Sequence, residues 1–73
     1  MKKAIATPKA PAAIGPYSQG IATEGLVFVS GQLPVDPATG AMPEDIKAQA
    51  AQSLANLKAV LEAGGSSMDK VVK

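Results

Sequence analysis

Apolar residues change their spacing near the middle of the chain, dividing it into a strand-forming half and a helical half. In the first half, Leu26-Val27-Phe28-Val29 is an unbroken run of β-favouring apolar residues that closes at Ser30-Gly31. It predicts a central strand covered on both faces. Ahead of it, Lys3–Thr7 predicts a short first strand and Ser18–Thr23 a second, with Glu24-Gly25 as the tight hairpin turn between the second strand and the apolar run. Pro8 and Pro11 keep Pro8–Ala13 extended and non-helical, because proline fixes φ, lacks an N–H and restricts the residue before it. Asp36-Pro37-Ala38-Thr39-Gly40 is a strong turn signal, each of its Asp, Pro and Gly standing where turn geometry favours it.

The second half has helical periodicity. Ile46, Ala50, Leu54, Leu57 and Leu61 recur at spacings of four, four, three and four, which sets them on one face. Lys47, Gln49, Gln52, Asn56 and Lys58 lie mostly outside that face. Glu44 and Asp45 suit the positive end of the helix dipole, and Gly64-Gly65 supplies the stop. The start falls between Pro43 and Asp45. Ser66-Ser67-Met68-Asp69 resembles a short capped turn, and Lys70-Val71-Val72-Lys73 begins what reads as another strand. Strands followed by one helix make an α+β pattern. That helix covers one face of the sheet, and the other face and the open edges invite a partner.

Composition narrows the picture. A chain of 73 residues allows one small domain, and at that size only about 60% of the unfolded surface is buried. Hydrophobic residues make up 47%, but alanine supplies much of that figure, with one Phe, one Tyr and no Trp. The expectation is an obligate oligomer or a partial domain, since neither disulfide nor metal is available as a staple. With no Cys, the chain has no thiol nucleophile and no thiolate ligand. With no His it lacks the commonest base near neutral pH, and with no Arg the side chain best suited to grip a carboxylate. A net charge of +1, without a basic block, argues against nucleic acid and against a membrane surface. Met1–Thr7 begins with two lysines but lacks the apolar core of a secretion signal, and no run approaches a membrane span of about 20 apolar residues. A cytoplasmic location is expected.

Four stretches in order carry a family resemblance: Ala12-Ala13-Ile14-Gly15-Pro16-Tyr17-Ser18-Gln19-Gly20, then Val27-Phe28-Val29-Ser30-Gly31-Gln32-Leu33-Pro34, the Asp36–Gly40 turn, and the helix containing Gln49-Ala50, Gln52-Ser53-Leu54 and Asn56-Leu57. Together they resemble the N-terminal portion of a RidA/YjgF subunit. The resemblance implies a chorismate-mutase-like α+β fold, three copies of which form a barrel-cored homotrimer with clefts between neighbours, residues 1–73 being a single partial domain. It implies hydrolytic deamination of reactive enamines and imines, such as 2-aminoacrylate and 2-imino acids, to 2-keto acids and ammonia. No metal and no cofactor take part. The alternative is a non-enzymatic binding protein of the same family, a translation inhibitor or chaperone-like.

Individual residues carry two readings each. Tyr17 is either an aromatic plug beneath the hairpin or, as the resemblance implies, a wall of the cleft whose hydroxyl meets substrate or water. Ser30 and Gly31 end a strand; the resemblance makes them substrate-binding through backbone groups, with Gly31 open to close approach. Ser30 is a poor nucleophile, since no His stands by to activate it. Gly15 and Pro16 shape the loop that presents Tyr17, Gln32 sits beside the site, and Ser18 and Gln19 either hold backbone or touch ligand. Lysines, turn carboxylates and helix-start carboxylates have ordinary surface uses. Imine hydrolysis further needs a cation for the substrate carboxylate and a group to position water. In the family an arginine and a glutamate from the later half of the subunit serve, so this chain carries no certain catalytic residue and is expected to be inactive alone.

Overall fold

β2 (Gly20–Thr23) and β3 (Leu26–Val29) form an antiparallel hairpin with Thr23 opposite Leu26 and Gly20 opposite Val29. Glu24-Gly25 joins them, and Gly25 takes φ 79°, the left-handed conformation that glycine reaches without a Cβ penalty. β1 (Lys3–Ile5) pairs antiparallel with the other edge of β2, giving the strand order β1-β2-β3. The structure, a computed structural model, describes residues 2–15 and 17–73. Pro16, expected to shape the loop before Tyr17, lies outside the described residues.

The expectations for the three strands of the sheet need correction. β1 ends at Ile5 rather than Thr7, because the Thr7 N–H is taken by the Gln19 side chain at 2.6 Å and leaves the ladder. β2 begins at Gly20 rather than Ser18, its preceding carbonyls facing Ser30 instead. β3 is not a central strand covered on both faces. It lies at the edge of the described sheet and alternates, with Val27 and Val29 half-buried while Leu26 and Phe28 face outward, Phe28 being 60% exposed. An apolar run reads the same whether one face or both are covered, so periodicity alone could not separate the two cases.

α1 (Ile46–Ala63) starts where the carboxylates predicted, with Asp45 as N-cap accepting the Ala48 N–H at 3.2 Å. Its end is a Schellman motif: Ser66 N–H donates to Leu61 O at 2.9 Å and Gly65 N–H to Glu62 O at 3.0 Å. The two glycines of the stop serve different ends. Gly65 is the left-handed residue, at φ 86°. Gly64 is a packing residue, because a Cβ there would stand 2.7 Å from Ile5 Cδ1 and 3.2 Å from Val27 Cγ1.

The buried face of α1 is not the apolar stripe that the spacing predicts. Ile46 is 77% exposed and Ala50 and Leu54 are exposed as well, while Asn56, Val60 and Leu61 are buried and Gln49, Gln52, Ser53 and Leu57 half-buried. The helix is therefore turned by roughly a quarter of a revolution relative to expectation. Packing decides the matter. Val60 meets the sheet where Gly20 has no side chain, a Cβ at Gly20 falling 2.8 Å from Val60 Cγ1 and 2.9 Å from Phe28 O. This close approach fixes which residues face inward, and the core of Ile5, Ala10 and Val60, with Ala22, Val27, Val29 and Ala59, forms around it.

The Asp36–Gly40 turn forms as expected: Asp36 Oδ1 accepts the Ala38 N–H at 2.8 Å, Asp36 O accepts the Gly40 N–H at 2.7 Å, and Gly40 takes φ 77°. After α1 a 3₁₀ turn spans Met68–Lys70, where the Ser67 hydroxyl donates to the Asp69 carboxylate. The strand expected from Lys70 does not form. Lys70 belongs to the 3₁₀ turn, and Val71, although extended, donates its N–H back to Met68 O rather than to a ladder. Among the described residues, no helix is long and apolar enough to cross a membrane.

Candidate functional site

The residues between β1 and β2 and those after β3 are brought together at one end of the sheet by side-chain amides and a hydroxyl. Gln19 is the centre of this arrangement, at 3% exposed. Its Oε1 accepts the Thr7 N–H, and its Nε2 lies within donating distance of Pro11 O at 2.6 Å, Thr7 O at 3.2 Å and Ala10 O at 3.3 Å. The proline-containing loop has few N–H groups with which to hold itself, so one buried carboxamide supplies the missing bonds. Sequence reasoning left Gln19 open between backbone and ligand. The structure commits it to backbone.

Ser30 performs the corresponding task on the opposite side. Its hydroxyl stands 2.8 Å from Ser18 O and 3.0 Å from Gln19 O, and its N–H donates to Gln19 O at 3.1 Å. The Gln32 carboxamide reinforces the junction from Ser30 O at 3.2 Å and Gln19 O at 3.4 Å. Tyr17, next to Ser18, is thereby held close to the Ser30–Gly31 segment through the backbone. Gly15 shapes this approach by conformation rather than by space: it takes φ 92°, nothing would meet a Cβ there, and its carbonyl accepts the Tyr17 N–H at 2.9 Å.

Half-exposed, Tyr17 borders a cavity of about 450 Å³ whose other walls include Ala4, Ala6, Ala12, Ala13 and Ser18. Among the described residues, its lining holds no charged side chain. Gly31 is exposed and lies outside that cavity, and among the described residues nothing donates to or accepts from its backbone. The structure thus places Tyr17 and Gly31 on either side of the Ser18–Ser30 junction without enclosing them in a common pocket. No group of three or more His, Cys, Asp or Glu able to hold a metal occurs among the described residues.

A further anchor escaped sequence reasoning. Asn56, read as lying off the apolar face of α1, is buried and its Nδ2 donates to Leu33 O and to Val35 O, each at 2.9 Å. Its Oδ1 accepts from Gln52 Nε2 at 2.8 Å. The legible signal was the Gln52, Asn56 pair at helical spacing, one turn before Val60 on the face that packs.

These features define a small α+β unit in which an amide-clamped loop cluster presents an aromatic ring and an exposed glycine backbone at one end of a sheet. The sequence profile of the Endoribonuclease L-PSP family matches residues 7–73. A curated 2-iminobutanoate/2-iminopropanoate deaminase of Salmonella typhimurium is 58% identical over all of this chain and 57% of its own length. Among solved structures, the YjgF gene product of E. coli superposes with a TM-score of 0.88 at 55% identity, covering 90% of this chain and 52% of that one. E. coli TdcF with bound serine gives a TM-score of 0.88 at 52% identity, over 90% of this chain and 52% of that one. The chain belongs to the RidA/YjgF family. It spans about half the length of the curated relatives it matches.

Proposed function

We propose that residues 1–73 form one wall of a cleft that hydrolyses reactive enamines and imines, among them 2-aminoacrylate and 2-imino acids, to 2-keto acids and ammonia. The observation that carries this reading is the 58% identity, over the whole chain, to a protein named as a 2-iminobutanoate/2-iminopropanoate deaminase. That a solved relative holds serine supports a ligand of amino-acid size. In the proposed reaction an enamine first takes a proton at its terminal carbon to become the iminium ion, the protonated imine. Water then adds to the C=N carbon, the C–N bond breaks, and ammonia leaves as the carbonyl forms.

Within this scheme the Tyr17 ring bounds the imine and its hydroxyl reaches substrate or water, while backbone groups at Ser30 and Gly31 hold the substrate. The Ser30 hydroxyl, occupied with Ser18 O and Gln19 O, contributes by fixing the junction rather than by attacking. In this reading a cation for the carboxylate, and a further polar group for the water, come from elsewhere in the assembled protein, since the chain has no Arg and, among the described residues, no charged side chain lines the Tyr17 cavity. We further propose that the chain functions within a homotrimer covering the outward sheet face at Phe28, in the cytoplasm where such intermediates arise, and without nucleic acid.

The test is to assay residues 1–73 alone, and joined in frame to the C-terminal portion of the Salmonella relative, for 2-keto acid and ammonia release from freshly generated 2-aminoacrylate. The expected result is turnover by the joined chain and none by residues 1–73. Turnover by the 73 residues alone would refute the need for the missing groups. An inactive joined chain that is folded and trimeric, beside an active Salmonella control, would refute the deaminase reading itself.

A further inference from the structure

β3 ends at Val29, and with it ends the ladder that fixes this part of the backbone. The stretch from Gly31 to Val35 then lies outside any strand. Its internal tie is the Val35 N–H to Leu33 O bond at 2.8 Å. Among the described residues, the hydrogen bonds reaching this stretch from α1 both come from Asn56, whose two Nδ2 hydrogens go to Leu33 O and Val35 O.

That use of a buried residue calls for an explanation. Asn56 is 1% exposed on a face where Val60, one turn later, makes apolar contact alone. Burying a carboxamide is favourable only if all its hydrogen bonds are made, and an apolar side chain would fill the same volume without that requirement. What an apolar residue could not do is hold two carbonyls at fixed positions. Two donors on one planar nitrogen do so, and the bond from Gln52 to Oδ1 sets which way the amide faces.

We propose that Asn56, oriented by Gln52, is a positioning residue for the candidate ligand-binding backbone at Gly31, setting where the Gly31 N–H and C=O stand relative to Tyr17. The inference rests on the deaminase reading for its ligand. Its physical content is separate: the helix controls the cleft wall through one carboxamide. A displacement of about 1 Å in a group that orients a substrate can lower turnover on the order of a hundredfold.

The experiment uses the joined chain described above with Asn56→Asp, Asn56→Leu and Asn56→Gln, and with Val60→Ala as a control that loosens the same helix face. Two quantities are read: kcat/KM per folded subunit and the Gly31 amide resonance. Asn56→Asp and Asn56→Leu are expected to lower kcat/KM on the order of ten- to a hundredfold and to move the Gly31 resonance. Asn56→Gln, which keeps both donors on a longer stem, recovers part of the loss, and Val60→Ala changes stability alone. Gln52→Leu, which leaves Asn56 in place but unoriented, provides a milder variant should the others fail to fold, and a smaller shift in the same direction is expected. Asn56 and Gln52 variants that retain kcat/KM and an unmoved Gly31 resonance overturn the proposal. Absence of turnover in the folded, unmutated chain overturns the deaminase reading alone, and the Gly31 resonance still decides whether Asn56 positions this backbone.

Discussion

The two faces of the three-stranded sheet are made from the same strands and have opposite fates. Toward α1 stand the rows Ile5–Gly20–Val29 and Ala22–Val27, closed over by Val60 and Ala59. Away from it stand Ala4–Ile21–Phe28 and Thr23–Leu26, with Phe28 and Leu26 more than half exposed. Because side chains alternate along each strand, neighbouring residues belong to different environments. The closed face is specified by an absence of bulk, at Gly20 and Gly64, which lets helix and sheet approach. The open face carries the larger side chains, and exposed apolar side chains grouped on one face, as Leu26 and Phe28 are, can form the kind of patch that marks an interface. Close packing on one side and exposure on the other are thus divided between alternate positions of each strand.

Substitutions on each face break or sharpen this contrast. Gly20→Val should have the largest effect, a loss of about 3 kcal/mol in urea unfolding, since the new atoms collide with the Phe28 carbonyl as well as with the movable Val60 methyl. A loss below about 1 kcal/mol would mean that the helix does not sit as tightly as described. The two glycines after α1 come next and should behave differently. Gly65→Ala should cost about 1 kcal/mol through its left-handed backbone, whereas Gly64→Ala should cost a similar amount through crowding of Ile5. Trimming Ile5 to Val should therefore relieve the Gly64 variant and not the Gly65 variant, as a double-mutant cycle would report. Phe28→Gln should change the stability of an unassociated chain least, by no more than about 0.5 kcal/mol, yet sedimentation should show the proposed trimer weakened. Unchanged assembly would count against covering of this face by other copies.

The contrast also marks how far the sequence could be read. Turns were legible because their chemistry is local: Glu24-Gly25, Asp36–Gly40 and the Gly64-Gly65 stop depend on backbone conformations that few residues adopt. The helix stop was legible for the same reason, whereas the start was bounded only to Pro43–Asp45 until the structure showed Asp45 as the cap. Which face of α1 packs was not, because Ile46, Ala50 and Leu54 obey helical spacing as well as the true inward residues do, and the choice lies in the remote Gly20. The edge position of β3 was hidden for a similar reason. Of the candidate site, the motif residues Tyr17, Ser30 and Gly31 could be singled out by resemblance. The amides were less legible: Gln19 stayed open between backbone and ligand, and Asn56 read as lying off the packed face, until their carbonyl partners, distant in sequence, were known.

The span of the Gln19 bonds bears on the order in which the molecule is made. Its carboxamide reaches back by 8 to 12 positions, and the Ser30 hydroxyl reaches back by 11 or 12. Loops of that length close at small entropic cost, whereas the bonds from Asn56 bridge 21 and 23 positions and require a helix that is synthesised later. The partners of the hairpin and its clamped loops are thus all present in the chain before α1 is synthesised. In chain order, the bonds that hold the loops beside the aromatic ring and the glycine come first, and the helix that bonds Leu33 and Val35 follows.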